Sequence, residues 1–220
     1  MTTITVLGDH DPEHVTHRAL DAALAQLPDG VRARWVGTDA APDDLGDGLW
    51  VAPGSPYRDD EAVLDAIARA RCDGVPLLGT CGGFQYTLLS LAGRGMDDHA
   101  ETTPGAADPL IGPLPERVDG GWRPVMPVKG TRLAELLGDA PFPGLFFCGY
   151  APRPDAGAEI EAAGARIAAY ADGIGAVALE VPGEPFLMAT LFHPQIGALD
   201  GEPLSPLIAA FAAATTLARR

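Results

Sequence analysis

Between Thr3 and Thr80 the chain alternates short apolar runs with stretches of helical spacing, and this alternation narrows the possible folds more than any other feature. "TITVLG", "VRARWV", "GLWVAPG" and "VPLLGT" read as buried strands, each flanked by glycine or acidic residues. Pro12 to Gln26 and Asp59 to Arg71 place apolar side chains at helical intervals. Strands joined through helices run parallel, because a right-handed crossover returns the chain to the same edge. The expectation is an α/β domain, flavodoxin-like and three-layered, with a mostly parallel central sheet and helices on both faces.

The fourth strand leads into "PLLGTCGGFQYTLLS", residues 76 to 90, where Cys81 stands between the strand and a helix from Gly82 to about Leu91. A strand that turns sharply into a helix has the layout of a nucleophile elbow: glycines allow the tight backbone and the side chain projects above the sheet. The Gly82 amide then lies at a helix N-terminus, where unpaired N–H groups and the helix dipole favour a thiolate and can bind an oxyanion. The same residues would suit an inert buried cysteine, and this stretch alone leaves both readings open. Cys72, at a helix end, and Cys148, inside an aromatic strand, lack this setting and are expected to be structural. A thiol nucleophile needs a base. "FLMATLFHPQ" ends a strand in His193 ahead of a proline, which brings an imidazole to the C-terminal edge of the sheet, where Cys81 also stands.

Beyond the elbow helix, Gly93 to Gly121 is rich in Gly, Pro and Asp and is expected to form a long loop that carries function. Thr131 to Leu137 and Asp155 to Ala163 read as short helices, and "GLFFCGY", "ARIAAY", "IGAVALE" and "PFLMATLF" as strands. An Ala-rich helix from Leu204 to Leu217 closes the pattern. No repeat or linker divides the 220 residues, so residues 1–220 are expected to form one domain. Thirty acidic against fifteen basic residues leave a net charge of -15, which repels nucleic-acid phosphates and anionic lipid, and no basic run offsets it. No apolar run approaches the roughly 18 residues of a membrane span, and Met1 leads into a polar pair and a strand, not a signal sequence. Three widely spaced cysteines offer neither a disulfide framework nor a zinc pattern, and a cytoplasmic protein is expected.

"GTCGGFQ" with "FHPQ" resembles the class I glutamine amidotransferase family, and in detail the glutaminase domain of CTP synthase, over almost the whole chain. "VAPGSPY" is similar to the family's oxyanion loop, "HAET" to its substrate-side glutamate segment, and "FFCGYAPRPDAGAEIEAAG" to the segment with its carboxylate-binding arginine. The resemblance implies a class I glutamine amidotransferase-like fold in a stand-alone chain without the amidoligase half. It implies Cys81 as nucleophile and His193 as base, with Gln195 in the third place of the triad. The amides of Gly82 and Ser55, beside Gly54, would form the oxyanion hole, and Gln85, Glu101 and Tyr150 would surround the substrate's amino-acid end. The chemistry implied is cleavage of a γ-glutamyl-type carboxamide through a thioester, which calls for no metal or other cofactor. The partners implied are a small-molecule amide and a separate synthetase or biosynthetic enzyme to which ammonia would pass.

Two positions depart from the family pattern. Gln195 stands where the family has a carboxylate; an amide can still accept the imidazole N–H through its carbonyl oxygen, without stabilising imidazolium by charge. Glu202, the nearest downstream carboxylate, is a poor substitute. Gly149 stands where the family has the arginine that pairs with the substrate's α-carboxylate, a pair worth about 1.5–3 kcal/mol. Either Arg153, Arg123 or Arg58 moves in, or the space admits a larger γ-glutamyl amide or peptide. These departures keep a second class open, a non-catalytic or regulatory module of the same fold. Among weaker signals, His10, His14 and His17 with Asp9 and Asp11 read as helix-opening polar residues more than as a metal site, and Asp9 and His10 are placed near the pocket. His99 either supports Glu101 or is exposed, the second being favoured, and Tyr57 is placed near the substrate.

Overall fold

In the computed structural model, which describes residues 1–183 and 186–217, the four early strands are β1 (Thr2–Leu7), β2 (Val31–Val36), β3 (Gly48–Val51) and β4 (Leu77–Thr80). They pair parallel in the order β2-β1-β3-β4, and β9 (Leu187–Thr190) adds a further parallel strand beside β4. Four more strands extend the same sheet antiparallel beyond β9: β8 (Gly175–Glu180), β7 (Arg166–Ala171), β5 (Ile111–Pro127) and β6 (Phe142–Pro152). β3, β4 and β9 are buried along their whole length, which explains why they read as unbroken apolar runs. Pro185, the first residue of the run assigned to β9, lies outside the described residues.

The helices fall where spacing predicts them: α1 (Val15–Leu24), α2 (Asp60–Cys72), α3 (Gly82–Ala92), α4 (Arg132–Leu137), α5 (Gly157–Ala162) and α6 (Pro206–Leu217). α2 starts on an Asp59 side chain that accepts from the Ala62 amide at 2.9 Å. Acidic residues in its first turn and Arg69 and Arg71 in its last complement the helix dipole. Thr131 caps α4 in the same way. α6 is apolar on most sides because Phe211 packs edge-on against the buried Trp50. None of the helices among the described residues is long and apolar enough to cross a membrane.

The segment from Gly93 to Gly121 departs from the expected loop. Its second part is the first half of β5, which pairs with β6 from Ile111 onward. The pairing breaks register between Pro113 and Val118 and again between Asp119 and Gly121. Prolines that cannot donate and glycines that bend the chain are tolerated at such bulges, so residues that argue for a loop were compatible with an irregular strand.

Candidate active site

Cys81 adopts φ 56° and ψ -112°, a conformation that costs any side-chain-bearing residue free energy. It is clamped there from both sides: its N–H donates to the Thr190 carbonyl at 2.8 Å, and its carbonyl accepts from the Phe84 amide at 3.0 Å. The two glycines that follow are required by close approach. A Cβ on Gly82 would collide with the Gly54 carbonyl, and one on Gly83 with the Val51 carbonyl. The loop after β3 is held in place by three side chains. Tyr57 donates its hydroxyl to the Ala52 carbonyl at 2.6 Å, His17 Nε2 bonds the Pro53 carbonyl at 2.8 Å, and Ser55 donates to Glu101 Oε2 at 2.9 Å. The Ser55–Pro56 peptide is cis. The backbone N–H groups that favour charge on the sulfur come from Gly82 and Gly54, while Ser55 acts through its hydroxyl on Glu101.

The sulfur is half-buried and lies 3.5 Å from the Phe147 carbonyl. Burial pushes the thiol up to about 11, against the pull of the Gly82 and Gly54 amides. The expectation of a thiolate is therefore corrected for the free protein: desolvation beneath β6 outweighs the helix terminus. Thr190 pairs with Thr80, so His193, three residues on, reaches the same edge as Cys81. Its backbone N–H donates to Leu145, and its ring stands edge-on to Phe147 at 5.7 Å. His193 is 2% exposed, and burial, with His17 nearby, pushes its imidazole down to about 3. Its Nε2 has no hydrogen-bond partner among the described residues, so thiol and imidazole both meet Phe147 without bonding to each other.

Gln195 reaches His193 with its amide nitrogen, 3.3 Å from Nδ1, and the same nitrogen lies 3.5 Å from the Thr16 carbonyl. It is thus the amide nitrogen, not the oxygen expected from sequence, that faces the imidazole. The Thr16 carbonyl explains the reversal, because it attracts an N–H and repels an oxygen. In this arrangement Nδ1 accepts and the ring proton rests on Nε2, the tautomer that cannot take a proton from sulfur until the Gln195 amide turns over.

At the other end of the site, Gln85 accepts from His99 Nε2 at 3.1 Å and donates to the Tyr150 carbonyl at 2.9 Å. His99 Nδ1 accepts from the Glu101 amide at 3.3 Å, which fixes the tautomer. His99 is fully buried, and burial pushes it down to about 4, so the exposed reading is corrected. Tyr150 enters through its backbone carbonyl and a ring contact with His99. Glu101 is raised by burial and drawn back by Ser55 and Arg117.

Arg117 is the residue that sequence reasoning missed. It sits in the bulged part of β5, and its guanidinium lies 3.2 Å from where a Cβ on Gly149 would be. Its field reaches both Cys81 and Glu101, and it makes no hydrogen bond or ion pair among the described residues. The three arginines considered from sequence are engaged elsewhere: Arg153 with Glu159 at 2.8 Å, Arg58 near Asp39 at 3.7 Å, and Arg123 on the Trp122 carbonyl. A partial signal was present, since Arg94 and Arg117 are the only two arginines or lysines from Gly93 to Gly121; the structure sets Arg94 aside by pairing it with Glu159 and Asp98.

The remaining candidates take structural roles. Tyr57 is buried, and its hydroxyl bonds the Ala52 carbonyl. Asp9 accepts from Thr38 and from the Arg58 amide, and His10 pairs with Asp21 at 2.9 Å while stacking on His17. Cys72 is exposed, and Cys148 is buried, which pushes its thiol up to about 12.

No protein-family model matches the chain. The CTP synthase of Methanopyrus kandleri is 30% identical over 219 residues, which cover 89% of this chain and 41% of that protein. The chain spans about a third to two-fifths of the length of the curated relatives it matches. Among solved structures, the glutaminase domain of Trypanosoma brucei CTPS with bound acivicin superposes with a TM-score of 0.81 at 16% identity, covering 99% of this chain and 94% of that one. A glutamine amido transferase from Methylobacillus flagellatus gives 0.64 at 14% identity, covering 99% and 91%. Sequence similarity to part of CTP synthase, joined to a fold shared with glutaminase and amidotransferase domains, makes this chain a class I glutamine amidotransferase-like domain.

Proposed function

We propose that the chain hydrolyses γ-glutamyl-type carboxamides through a Cys81 thioester. The observation that carries this reading is the strained Cys81 elbow, with the Gly82 and Gly54 amides at its sulfur and His193 across Phe147. Arg117 and Glu101 supply opposite charges at one end, suited to the α-carboxylate and α-ammonium of a glutamyl group. The sulfur attacks the carboxamide carbon, the amides of Gly82 and Ser55, beside Gly54, receive the oxyanion, and His193 carries the thiol proton to the leaving nitrogen. Water then releases glutamate and restores the thiol. CTP synthase relatives more than twice as long suggest the variant in which ammonia passes to a separate synthetase.

Incubation with glutamine and with γ-glutamyl amides, followed by measurement of glutamate, tests the reading directly; no glutamate from any of them overturns it. The neutral thiol, the unbonded imidazole and Gln195 favour a second reading, a binding module without turnover. A glutamyl chloroketone separates the two. On the hydrolase reading it labels Cys81 at least about a hundredfold faster than iodoacetamide does, because binding and proton uptake by His193 activate the sulfur. Equal rates support the binding module.

A further inference from the structure

β6 runs across the site like a ruler. Arg117 lies against Gly149, the thiol meets the Phe147 carbonyl, and His193 is tied to Leu145. Further back along the strand, Phe142 to Leu145 form one wall of a cavity of about 580 Å³. At about 3.3 Å per residue, Gly149 to Phe147 measures about 7 Å, which an extended glutamyl group fills, and Leu145, which holds the His193 backbone, stands on the cavity wall.

That volume is about twentyfold the roughly 30 Å³ share of a water-sized molecule, so release of ammonia alone does not account for it. Trp122, Phe142, Phe192 and Ile208 give it apolar walls. His193 and Gln195 line it too, only 2% and 1% exposed, and their Nε2 and Oε1 atoms have no hydrogen-bond partner among the described residues. Asp200 and Glu202 stand at the exposed rim; among the described residues neither has an ion-pair partner, and no lysine or arginine lines the cavity.

We propose that this cavity receives the leaving amine of the substrate, and that the amine has an aryl or branched-alkyl body and a second, cationic nitrogen facing Asp200 and Glu202. The proposal rests on the amide-hydrolase reading and narrows its substrate to γ-glutamyl conjugates of apolar diamines. Cys81 Sγ bonds the amide carbon as its proton passes to His193. The C–N bond then breaks with that proton delivered to the nitrogen, and water cleaves the thioester to give the acid and the thiol.

The test has a kinetic arm and a binding arm. The mono-γ-glutamyl amide of p-xylylenediamine is compared with glutamine, with kcat/KM expected to be at least about tenfold higher for the conjugate. Replacing the rim, D200N with E202Q, lowers that ratio about tenfold, the equivalent of one lost charge-assisted contact. In the binding arm free p-xylylenediamine changes the fluorescence of Trp122, which is 54% exposed on the cavity wall, and W122F removes the change. Turnover of glutamine or small γ-glutamyl amides with no preference for the conjugate and no amine binding overturns the cavity proposal alone. Absence of turnover with every amide overturns the hydrolase reading and the leaving-group role with it.

Discussion

The Gln195 amide decides which nitrogen of His193 carries the proton. A carboxylate there would accept Nδ1–H, free the Nε2 lone pair for the thiol proton and lift the imidazole from about 3. Gln195→Glu is therefore expected to raise kcat on γ-glutamyl amides by about 10- to 100-fold, less whatever the Thr16 carbonyl costs a facing carboxylate. Nitrogen NMR of the imidazole reads the tautomer independently of rate, and unmoved shifts with unchanged kcat would show that the amide already does the carboxylate's work. Arg117 gives a second residue-level prediction. Arg117→Met should raise KM about 10- to 100-fold with kcat nearly unchanged, the signature of a lost binding contact. Because the guanidinium fills the space that a side chain at 149 would need, Arg117→Gly combined with Gly149→Arg should recover much of that loss. A double variant no better than Arg117→Gly would show that the two positions do not share one subsite.

The elbow stores strain for the sake of aim. Relieving it should stabilise the fold: Cys81→Gly is expected to raise the unfolding free energy by about 1–2 kcal/mol while ending turnover, because glycine tolerates positive φ. Adding bulk beside it should do the opposite. In Gly83→Ala the new methyl meets the Val51 carbonyl, backbone that cannot swing aside, and a loss of about 3 kcal/mol is expected in urea unfolding. A neutral result would mean that α3 can slide on β3. The β5–β6 pair shows a different element-level device. Its bulges carry Arg117 to the mouth of the site while Val125 and Phe146, on the regular parts, stay in the core.

Burial across the whole domain sets an acid limit to stability. His193 is lowered to about 3, His99 to about 4, and His17 is lowered as well, each chiefly by desolvation. Unfolded, all three return to about 6.5, so below that pH the unfolded chain binds more protons than the native one and stability falls as pH falls. Each histidine contributes up to about 1.4 kcal/mol per pH unit between its unfolded and folded values, and Glu101, raised by burial, opposes the loss by at most one proton. The melting temperature should drop steadily from pH 7 to pH 5, and replacing His99 by Gln should flatten part of that slope. A melting temperature unchanged over that range would contradict neutral burial of these rings.

Much of this molecule was legible from local signals. Strand and helix positions follow from apolar periodicity and caps, and the elbow from glycines around one thiol, since backbone geometry and short-range packing depend on neighbours in sequence. Only the tertiary structure decided what depends on distant ones. Folding β6 over the elbow desolvates Cys81 and His193 and leaves both neutral, bringing α1 against Gln195 turns its amide, and the bulged β5 delivers Arg117 into the place left open by Gly149. Protonation and charge pairing follow the solvent and fields that a group meets in three dimensions, and these arise from residues a hundred or more positions apart as readily as from adjacent ones.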